Sequence, residues 1–493
     1  MRTDLGPEAN VGTWLVAHAA ERPEHPAVVV AATGERISYR ALEARVQRAA
    51  AALRAVGVEP GDRVALALPS DPLYLELYFA AARIGAILVP LNTRLTAAEL
   101  AFQLDDCAPR VAVRAPGLDV PDREGTLALS PDALRARMPA QPPEIAAAPG
   151  GEAPQVIMYT SGTTGQPKGA VLPHRKTYWN TRNAEIYFEH DSSSVVIAPV
   201  PLFHSFGLKI LSVPALYCGA TVVLVDRFDP VGLQDCVARY RGTLLGAVPV
   251  MYERMLEAGL AREKLASLRF AFSAGAALRT ETIARYFAAG VCLKQGYGQT
   301  ETSILCCLDA VDAERKAGSV GRPVRFGELR IADAAGHEVP AGVQGEVQVR
   351  GPLVMLGYWR RAAETEQARQ DGWHRTGDLG VRDAEGFVTL VGRLKELYIS
   401  GGENVYPAEV ERVLGQHPDV SEVAVVGVPD ERWGETGRAY VVPARQPFDG
   451  AALLHWAAER LARYKLPREV VLVAELPRTA SGKVQKHALL ARE

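Results

Sequence analysis

The chain has 493 residues, of which 48% are hydrophobic and 23% are charged, and its formal net charge at pH 7 is -2. This length exceeds what one hydrophobic core supports, so we expect about two to four folding units. The near-neutral charge provides no electrostatic attraction for nucleic acid or an anionic membrane. No apolar run approaches the ~18 residues of a membrane-spanning helix, so stable membrane insertion is not expected. The N-terminus lacks a signal-peptide core, and we therefore expect a cytoplasmic protein.

Cysteine and histidine usage predicts neither disulfides nor a metal centre. The six cysteines are scattered along the chain without a CxxC pair. That pattern is typical of reduced core thiols. The ten histidines show no HxxxH or HExxH spacing, so no structural zinc site is expected.

Local patterns in the first segment predict alternating helices and strands. Apolar residues recur at helical spacing from Ala41 to Val56, and Gly57 ends this helix. We predict a strand at Arg63–Leu68, a helix at Tyr74–Gly85 and a strand at Ala86–Asn92. Such β-α-β alternation predicts an α/β fold with parallel, doubly wound sheets.

Later composition shifts predict further boundaries. A stretch rich in Pro, Ala and Gly, from Pro139 to Pro154, separates a first α/β subdomain of about 1–150 from a second of about 151–323. The runs GELRIAD, GEVQVRG and GFVTLVG predict a small β subdomain at 324–392. After Arg393, short strands and two helical runs predict a separate α+β domain of ~100 residues.

One stretch, Tyr159–Gly169 (YTSGTTGQPKG), follows a predicted buried strand and has the composition of a phosphate cradle. Its glycines, Gly162, Gly165 and Gly169, let successive backbone N–H groups converge on an anion. Its hydroxyl donors are Thr160, Ser161, Thr163 and Thr164, and Lys168 adds a cation. A polar surface loop is the alternative interpretation. A Walker loop fits badly, because glycine rather than a hydroxyl residue follows Lys168.

This loop resembles the phosphate-binding loop of the adenylate-forming superfamily, which holds acyl-CoA synthetases, peptide-synthetase adenylation domains and luciferases. From about Ala41 to Lys483 the chain carries the motif series of that family in order. The resemblance implies a large N-terminal domain at 1–392, a hinge at 393–396 about Lys395, and a mobile C-terminal lid domain at 397–493.

The segment Pro199–Lys209 (PVPLFHSFGLK) bears on the substrate. In the resembling enzymes an aromatic residue or histidine at the position of His204 borders the carboxylate pocket. Adenylation domains carry an aspartate in an FDxS sequence near here that pairs with an α-amino group, whereas this chain has FHSF. Because an unpaired buried cation is costly, a plain carboxylic acid is favoured over an amino acid. Lys209 is expected either to be solvated or to face the pocket and pair with a polar group of the substrate.

Two further motifs resemble those that form the nucleotide site of the adenylate-forming superfamily. In FSAGAALR the small residues Gly275, Ala276 and Ala277 allow a flat base to lie against backbone, and in QGYGQTET the residues Gly296 and Tyr297 continue that surface with a ring. Thr300 is expected to donate to phosphate and carboxylate oxygens. Glu301 is expected to hold Mg²⁺, which prefers hard oxygen ligands shared with phosphates.

The remaining matches lie toward the C-terminus. Asp378, in HRTGDLG, matches the carboxylate that accepts from both ribose hydroxyls, and Arg393 matches the arginine on the ribose and phosphate side. Gly401 and Gly402 match the bare backbone beside which pantetheine runs. Lys483, in PRTASGK, matches the catalytic lysine; Lys486 follows no Ser-Gly pair and is not expected to be catalytic.

Together the motifs imply an ATP-dependent, AMP-forming acyl-CoA synthetase. ATP, Mg²⁺ and CoA are its expected cofactors and co-substrates, a small carboxylic acid is its substrate, and its catalytic residues are Lys483, Thr300, Glu301 and His204. A homodimer is a possible assembly. Two alternatives stay open: an acyl-AMP ligase that loads a carrier protein, and a non-catalytic nucleotide-binding protein. Phe206, Gly207, Ala274, Gly275, Ser303 and Ile304 would form a mostly apolar acid pocket.

Overall fold

The computed structural model describes residues 5–160, 167–400, 403–430, 433–461, 463–479 and 483–490. Contacts divide the chain into two compact units. The first unit comprises Met1–Leu329 and Val349–His374, and the second comprises Arg330–Gln348 and Arg375–Glu493. Part of the predicted β subdomain therefore shares a unit with the tail, and the boundary at residue 392 stays a prediction.

The helices of the described residues are, in chain order, α1 (Trp14–Glu21), α2 (Tyr39–Ala55), α3 (Pro72–Ile84), α4 (Ala97–Cys107), α5 (Pro131–Arg135), α6 (His174–Tyr187), α7 (Val213–Tyr217), α8 (Pro230–Tyr240), α9 (Pro249–Glu257), α10 (Arg262–Leu265), α11 (Thr280–Ala288), α12 (Ala362–Gln367), α13 (Pro407–Leu414), α14 (Gly450–Ala458) and α15 (Lys486–Leu490). Short 3₁₀ turns occupy Val11–Thr13 and Arg463–Lys465, and a π-helical segment occupies Phe206–Ser212.

The strands are β1 (Pro26–Val30), β2 (Arg36–Ser38), β3 (Arg63–Ala67), β4 (Ile87–Pro90), β5 (Val111–Arg114), β6 (Leu127–Leu129), β7 (Pro154–Thr160), β8 (Lys168–Pro173), β9 (Val195–Ala198), β10 (Thr221–Leu224), β11 (Leu244–Ala247), β12 (Phe270–Ser273), β13 (Leu293–Gln299), β14 (Ser303–Cys307), β15 (Arg322–Pro323), β16 (Glu328–Ala332), β17 (Gln344–Arg350), β18 (Gly357–Tyr358), β19 (Arg369–Gln370), β20 (Trp373–Arg382), β21 (Val388–Arg393), β22 (Tyr398–Ser400), β23 (Glu403–Val405), β24 (Val420–Asp430), β25 (Gly434–Pro443) and β26 (Glu469–Leu472). The helices and strands predicted between residues 41 and 92 are confirmed, with ends shifted by a few residues.

Two sheets organise the first unit. One has the strand order β18-β8-β7-β4-β3-β5-β6, and the other has the order β15-β14-β13-β12-β11-β9-β10-β1-β2. Their central strands pair in parallel, as between β11 and β12, whereas edge strands such as β8 and β14 pair antiparallel. The α/β prediction is thus confirmed, with sheets that are mixed rather than wholly parallel. Several central strands are buried along their whole length, as parallel sheets covered on both faces require.

The predicted boundary near residue 150 does not separate the two sheets. Strand β1 pairs in parallel with β10, so the first strands of the chain belong to the same sheet as residues near 222. Conversely, β7 and β8 join the sheet built by β3, β4 and β5. Composition predicts a linker there but carries no information on which distant strands pair, because pairing depends on long-range contacts.

The second unit holds the predicted α+β tail. A sheet there has the order β23-β22-β25-β24, with β26 beside β25. A core that includes Tyr398, Val410, Val425 and Leu453 packs α13 and α14 against this sheet. Another sheet has the order β16-β17-β20-β19, with β21 paired to β20. Across the described ranges, no helix is long and apolar enough to cross a membrane.

A buried ion pair links α2 and α3 in the first unit. Arg83 Nη1 donates to Glu43 Oε1 at 2.7 Å, and Arg83 Nη2 donates to Glu43 Oε2 at 2.9 Å. Arg83 Nε also donates to the carbonyl of Gly12 at 3.0 Å. Both side chains are buried, so removal of one would strand the other charge away from water.

We predict that Arg83→Met lowers the free energy of unfolding of the first unit by about 3–5 kcal/mol, because the Glu43 carboxylate loses its partner. The matched control is Arg40→Met, which removes an exposed pair with Glu24 and should cost at most about 1 kcal/mol. Urea unfolding of the full chain measures both. Equal losses for the two variants would contradict the prediction.

Candidate functional site

A hairpin brings Thr160 and Lys168 together. Strand β7 ends at Thr160 and β8 begins at Lys168, and these two residues face each other in the antiparallel ladder. The intervening residues 161–166, which include Ser161, Gly162, Thr163, Thr164 and Gly165, lie outside the described residues. The two described ends of the predicted phosphate loop therefore lie side by side, as a closed loop requires.

Glu301 lies at the centre of the contacts made by this hairpin. Its side chain is 9% exposed. Its Oε1 accepts hydrogen bonds from Thr160 Oγ1 at 3.1 Å and from the Tyr358 hydroxyl at 3.2 Å. The Lys168 ammonium lies 5.4 Å from the centre of the Tyr358 ring. Thr160 and Tyr358 therefore meet at the Glu301 carboxylate, and Lys168 lies beside the Tyr358 ring.

Tyr358 is a site residue that the sequence analysis missed. Strand β18 places it there by pairing with β8, where Tyr358 faces Ala170. Burial raises the pKa of the Tyr358 phenol, and the Glu301 carboxylate raises it further, so the hydroxyl stays protonated and can donate. No local signal marks Tyr358, because its partners lie far away in the sequence.

The proposed base-binding residues lie at the carboxyl ends of neighbouring parallel strands. Gly275, Ala276 and Ala277 follow β12 and are exposed to solvent. Gly275 has φ +92°, and no atom lies within 4 Å of where a Cβ would stand. Gly296 and Tyr297 belong to β13, which pairs with β12, and Thr300 is half-buried in the turn that follows. Such carboxyl ends are where open α/β sheets bind ligands.

His204 precedes the π-helical segment and is half-buried, with its ring centroid 4.6 Å from that of Phe203. Phe206 begins the segment, and its ring centroid lies 6.0 Å from that of Phe272 at the end of β12. Phe206, a predicted pocket residue, therefore packs close to the end of β12. A π-helix inside a helical stretch often marks a functional site.

Lys209 corrects an expectation, because it is not solvated. Its side chain is 3% exposed. Its ammonium donates to the Tyr78 hydroxyl at 3.1 Å, to Gln155 Oε1 at 3.0 Å, and to Thr177 Oγ1. An ammonium has three donors, so these partners use all of them and leave none for a substrate. Lys209 therefore anchors the π-helical segment to α3, β7 and α6.

Two buried lysines have altered acidities. Burial lowers the pKa of Lys209 well below its ordinary value of 10.5, and the charge of Lys176 lowers it further. Burial lowers the pKa of Lys176 to about 7, although Glu301 raises it, and Arg175 adds to the lowering. Each lysine therefore releases its proton more readily in the folded chain than in the unfolded chain.

In the second unit, β20 and β21 bring Asp378 and Arg393 together. These residues face each other across the ladder, and Arg393 Nε lies 3.0 Å from Asp378 Oδ1. Glu346 supports the same strand, β20: its Oε1 accepts from the Gly377 amide at 3.0 Å and its Oε2 from Arg375 Nε at 2.8 Å. The resemblance assigned both Asp378 and Arg393 to the ribose side, whereas no motif in the sequence marked Glu346.

Two lysines of the tail have different environments. Lys483 is exposed, and its carbonyl accepts a hydrogen bond from the Thr479 amide at 2.7 Å. The Lys486 ammonium lies 2.8 Å from both Glu396 Oε2 and Glu411 Oε1. Burial alone would lower the pKa of Lys486, but these two carboxylates outweigh it and raise that pKa. Lys486 therefore has a structural role.

The predicted hinge residue Lys395 is exposed in the turn at 394–396, between β21 and β22. Gly401 and Gly402 lie outside the described residues. Lys483, Lys395, Asp378 and Arg393 all belong to the second unit, whereas Thr160, Lys168, His204, Thr300 and Glu301 belong to the first.

A pH-dependent stability follows from Lys209. Between its lowered pKa in the folded chain and 10.5 in the unfolded chain, the unfolded state binds more protons, so stability should rise with pH in that window and fall as the pH drops through it. We predict that Lys209→Met reduces this slope by up to about 1.4 kcal/mol per pH unit. Urea unfolding of both proteins between pH 7 and 10 measures it, and identical slopes would contradict the assignment.

Comparison with known proteins identifies the family. The AMP-binding enzyme family matches residues 15–359, and the AMP-binding enzyme C-terminal domain matches residues 409–483. A feruloyl-CoA synthase from Amycolatopsis sp is 40% identical over 487 residues, which cover 97% of each chain. An indoleacetate–CoA ligase from Aromatoleum aromaticum is 40% identical over 504 residues, which cover 96% of each chain.

Solved structures agree with this assignment. The ATP-bound MatB from Rhodopseudomonas palustris is 34% identical, with a TM-score of 0.91 over 98% of each chain. An o-succinylbenzoate CoA synthetase from Bacillus subtilis, in complex with its acyl-adenylate intermediate, is 31% identical, with a TM-score of 0.88 over 97% of each chain. The family matches and these near-complete overlaps show that this chain belongs to the family of AMP-binding enzymes.

Proposed function

We propose that the protein is an AMP-forming acyl-CoA synthetase. In the first half-reaction a carboxylate oxygen attacks the α-phosphorus of ATP, and pyrophosphate leaves as acyl-AMP forms. In the second, the CoA thiol attacks the acyl carbon, and AMP leaves. The observation that carries the proposal is the cluster of Thr160, Lys168, Tyr358 and Glu301 beside the glycine-rich loop, in a chain that spans nearly the full length of several CoA ligases.

In the first half-reaction, the loop with Thr160 and Lys168 would hold the β- and γ-phosphates, and Thr300 would donate to the reacting oxygens. Glu301 fits a magnesium ligand, because both of its described side-chain hydrogen bonds use Oε1 and leave Oε2 for a cation. The described residues contain no cluster of three or more metal-ligating side chains. Glu301 would hold Mg²⁺ together with the bound nucleotide, and the ion would supply charge neutralisation at the phosphates.

Further residues are proposed for the ribose, the base and the reacting groups. We assign Asp378 and Arg393 to the ribose, since the ladder places Arg393 Nε 3.0 Å from Asp378 Oδ1. Gly275, Ala276, Ala277, Gly296 and Tyr297 would contact the base. Lys483, whose side chain is exposed, would balance the charge that builds between carboxylate and α-phosphate, a task that suits a compact cation on a long stem. Lys395 as hinge and Gly401 and Gly402 beside pantetheine remain proposals from the resemblance.

We infer an aromatic carboxylic acid as the substrate. Phe206, a predicted pocket residue, would offer its ring to the substrate, and the described hydrogen bonds of Lys209 occupy its donors. Relatives act, by name, on feruloyl and indoleacetate groups. A long-chain fatty acid is the competing class, since another relative, 36% identical, is a long-chain-fatty-acid–CoA ligase. The cytoplasmic location and a homodimer remain predictions from the sequence.

The substrate prediction is tested with a panel of acids and ATP, with pyrophosphate release as the measurement. We expect arylacrylic and arylacetic acids to exceed octanoic and palmitic acids in kcat/KM, because rings stack on rings. Amino acids should be inactive. Highest activity with palmitic acid would contradict the aromatic assignment, and no pyrophosphate with any acid would contradict the proposed function. CoA and a holo-carrier protein, compared as acceptors, separate the synthetase from a carrier-loading ligase.

Lys483→Ala should separate the two half-reactions. We expect acyl-AMP formation to fall at least about 100-fold, the usual cost of removing one electrostatic stabiliser. Synthetic acyl-AMP and CoA should still give thioester, because that step transfers no phosphorus. Each half-reaction is measured separately, so the second serves as the internal control. Equal loss of both, with unchanged circular dichroism, would refute this role.

A further inference from the structure

Lys176 is a buried cation with little compensation. It lies on α6, and its side chain is 2% exposed. Its ammonium donates to Ser303 Oγ at 2.5 Å, which is the hydrogen bond that the described residues give it. Glu301 is the carboxylate with which it interacts electrostatically. A desolvated charge is costly, so its presence calls for a role.

Ser303 begins β14, two residues after Glu301, and has an unusual backbone. Its φ is +63°, in the left-handed region that a serine seldom occupies. The chain reverses tightly before it: a Cβ on Gly298 would stand 1.9 Å from the Ser303 carbonyl oxygen. Thr302 closes the same turn, since its Oγ1 accepts from the Gln299 amide at 3.2 Å. Such a conformation persists only when surrounding contacts hold it.

Helix α6 provides those contacts from one face. Lys176 and Asn180 are four residues apart, so their side chains point the same way. Asn180 Oδ1 accepts from the Ile304 amide at 3.3 Å, directly after the Lys176–Ser303 hydrogen bond. Asn180 Nδ2 also donates to the Lys209 carbonyl at 2.7 Å. The helix thus joins the turn at Ser303 to the π-helical segment at the predicted acid pocket.

The same turn carries Thr300 and Glu301, whose side chains the proposed adenylation step uses. Because Ser303 is only two residues from Glu301, a small displacement of the Ser303 backbone would also move Glu301. It would disturb the hydrogen bonds of Glu301 with Thr160 and Tyr358. Misplacement of reacting groups by about 1 Å can cost on the order of 100-fold in rate.

We propose that Lys176 is a positioning residue that, through Ser303 Oγ, holds the turn from Thr300 to Ile304 in the geometry required for acyl-AMP formation. This inference rests on the proposed function. Lys176 touches no substrate in this account; it acts through Ser303. Stability alone does not explain it, because an apolar side chain of similar length would fill the same space without a desolvation cost.

The test uses the full-length variants Lys176→Met and Ser303→Ala and their combination. Lys176→Met should form pyrophosphate at about one tenth to one hundredth of the wild-type kcat/KM, and calorimetry should show Mg²⁺·ATP binding weakened several-fold. Conversion of synthetic acyl-AMP and CoA should stay within about twofold, and stability toward urea should not fall. The combined variant should lose little beyond either single change, because both remove the same contact.

Lys294→Met is the matched control. Lys294 is also a buried lysine, but it donates to the Tyr187 carbonyl at 2.7 Å and lies 3.7 Å from the centre of the Phe270 ring. Its removal should leave pyrophosphate formation unchanged. An equal loss in Lys294→Met would show a general packing effect and overturn the proposal.

The remaining outcomes are equally decisive. Wild-type protein without pyrophosphate release refutes the proposed function itself. Active wild-type protein with unchanged Lys176→Met and Ser303→Ala refutes the positioning role. If Lys176→Met fails to fold, Ser303→Ala decides alone, because it deletes one oxygen and keeps the core filled. Loss of both half-reactions in step with loss of stability would mean a purely structural lysine and would also overturn the inference.

Discussion

The carboxylate of Glu301 is the constraint on which the site of the first unit depends. It receives hydrogen bonds from the last residue of β7 and from β18, and its own position follows a tight reversal between β13 and β14. These segments come from different parts of the chain and from both sheets. A buried carboxylate must be hydrogen-bonded to be tolerated, so its partners keep these segments in register. The glycine-rich loop then starts and ends beside the same charge.

Buried charge elsewhere in the first unit is handled in two ways. Arg83 and Glu43 neutralise each other with paired hydrogen bonds, which makes their contribution structural. Lys209 is surrounded by neutral oxygens that occupy every donor it has. Lys176 fits neither pattern, because its described hydrogen bond goes to a single hydroxyl on the turn that carries Glu301. Lys294 likewise makes one described side-chain hydrogen bond, but to the Tyr187 carbonyl, so it is the location of its partner that sets Lys176 apart.

The two units divide the proposed work according to chemistry. The described residues proposed for phosphate and acid contacts belong to strand ends and turns of the first unit. The residues proposed for the ribose and the lysine proposed as catalytic belong to the second unit, where Asp378 and Arg393 share a ladder and Lys483 is exposed. Lys486 is three residues from Lys483, yet its two carboxylate partners commit it to the fold.

The sequence by itself determined the elements and the motif residues. Periodicity located α2, α3, β3 and β4, because apolar spacing reports burial within a single element. The resemblance selected Thr160, Lys168, Glu301, Asp378 and Arg393. In the structure Thr160 donates to Glu301, Lys168 lies beside the Tyr358 ring, which also contacts Glu301, and Asp378 is paired with Arg393. Only the tertiary structure decided the pairing of β1 with β10, the arrival of Tyr358 and Glu346, and the burial of Lys176 and Lys209. Those features arise from contacts between residues far apart in the chain. Local spacing and composition do not report the energy of such contacts, so these features could not be predicted from the sequence.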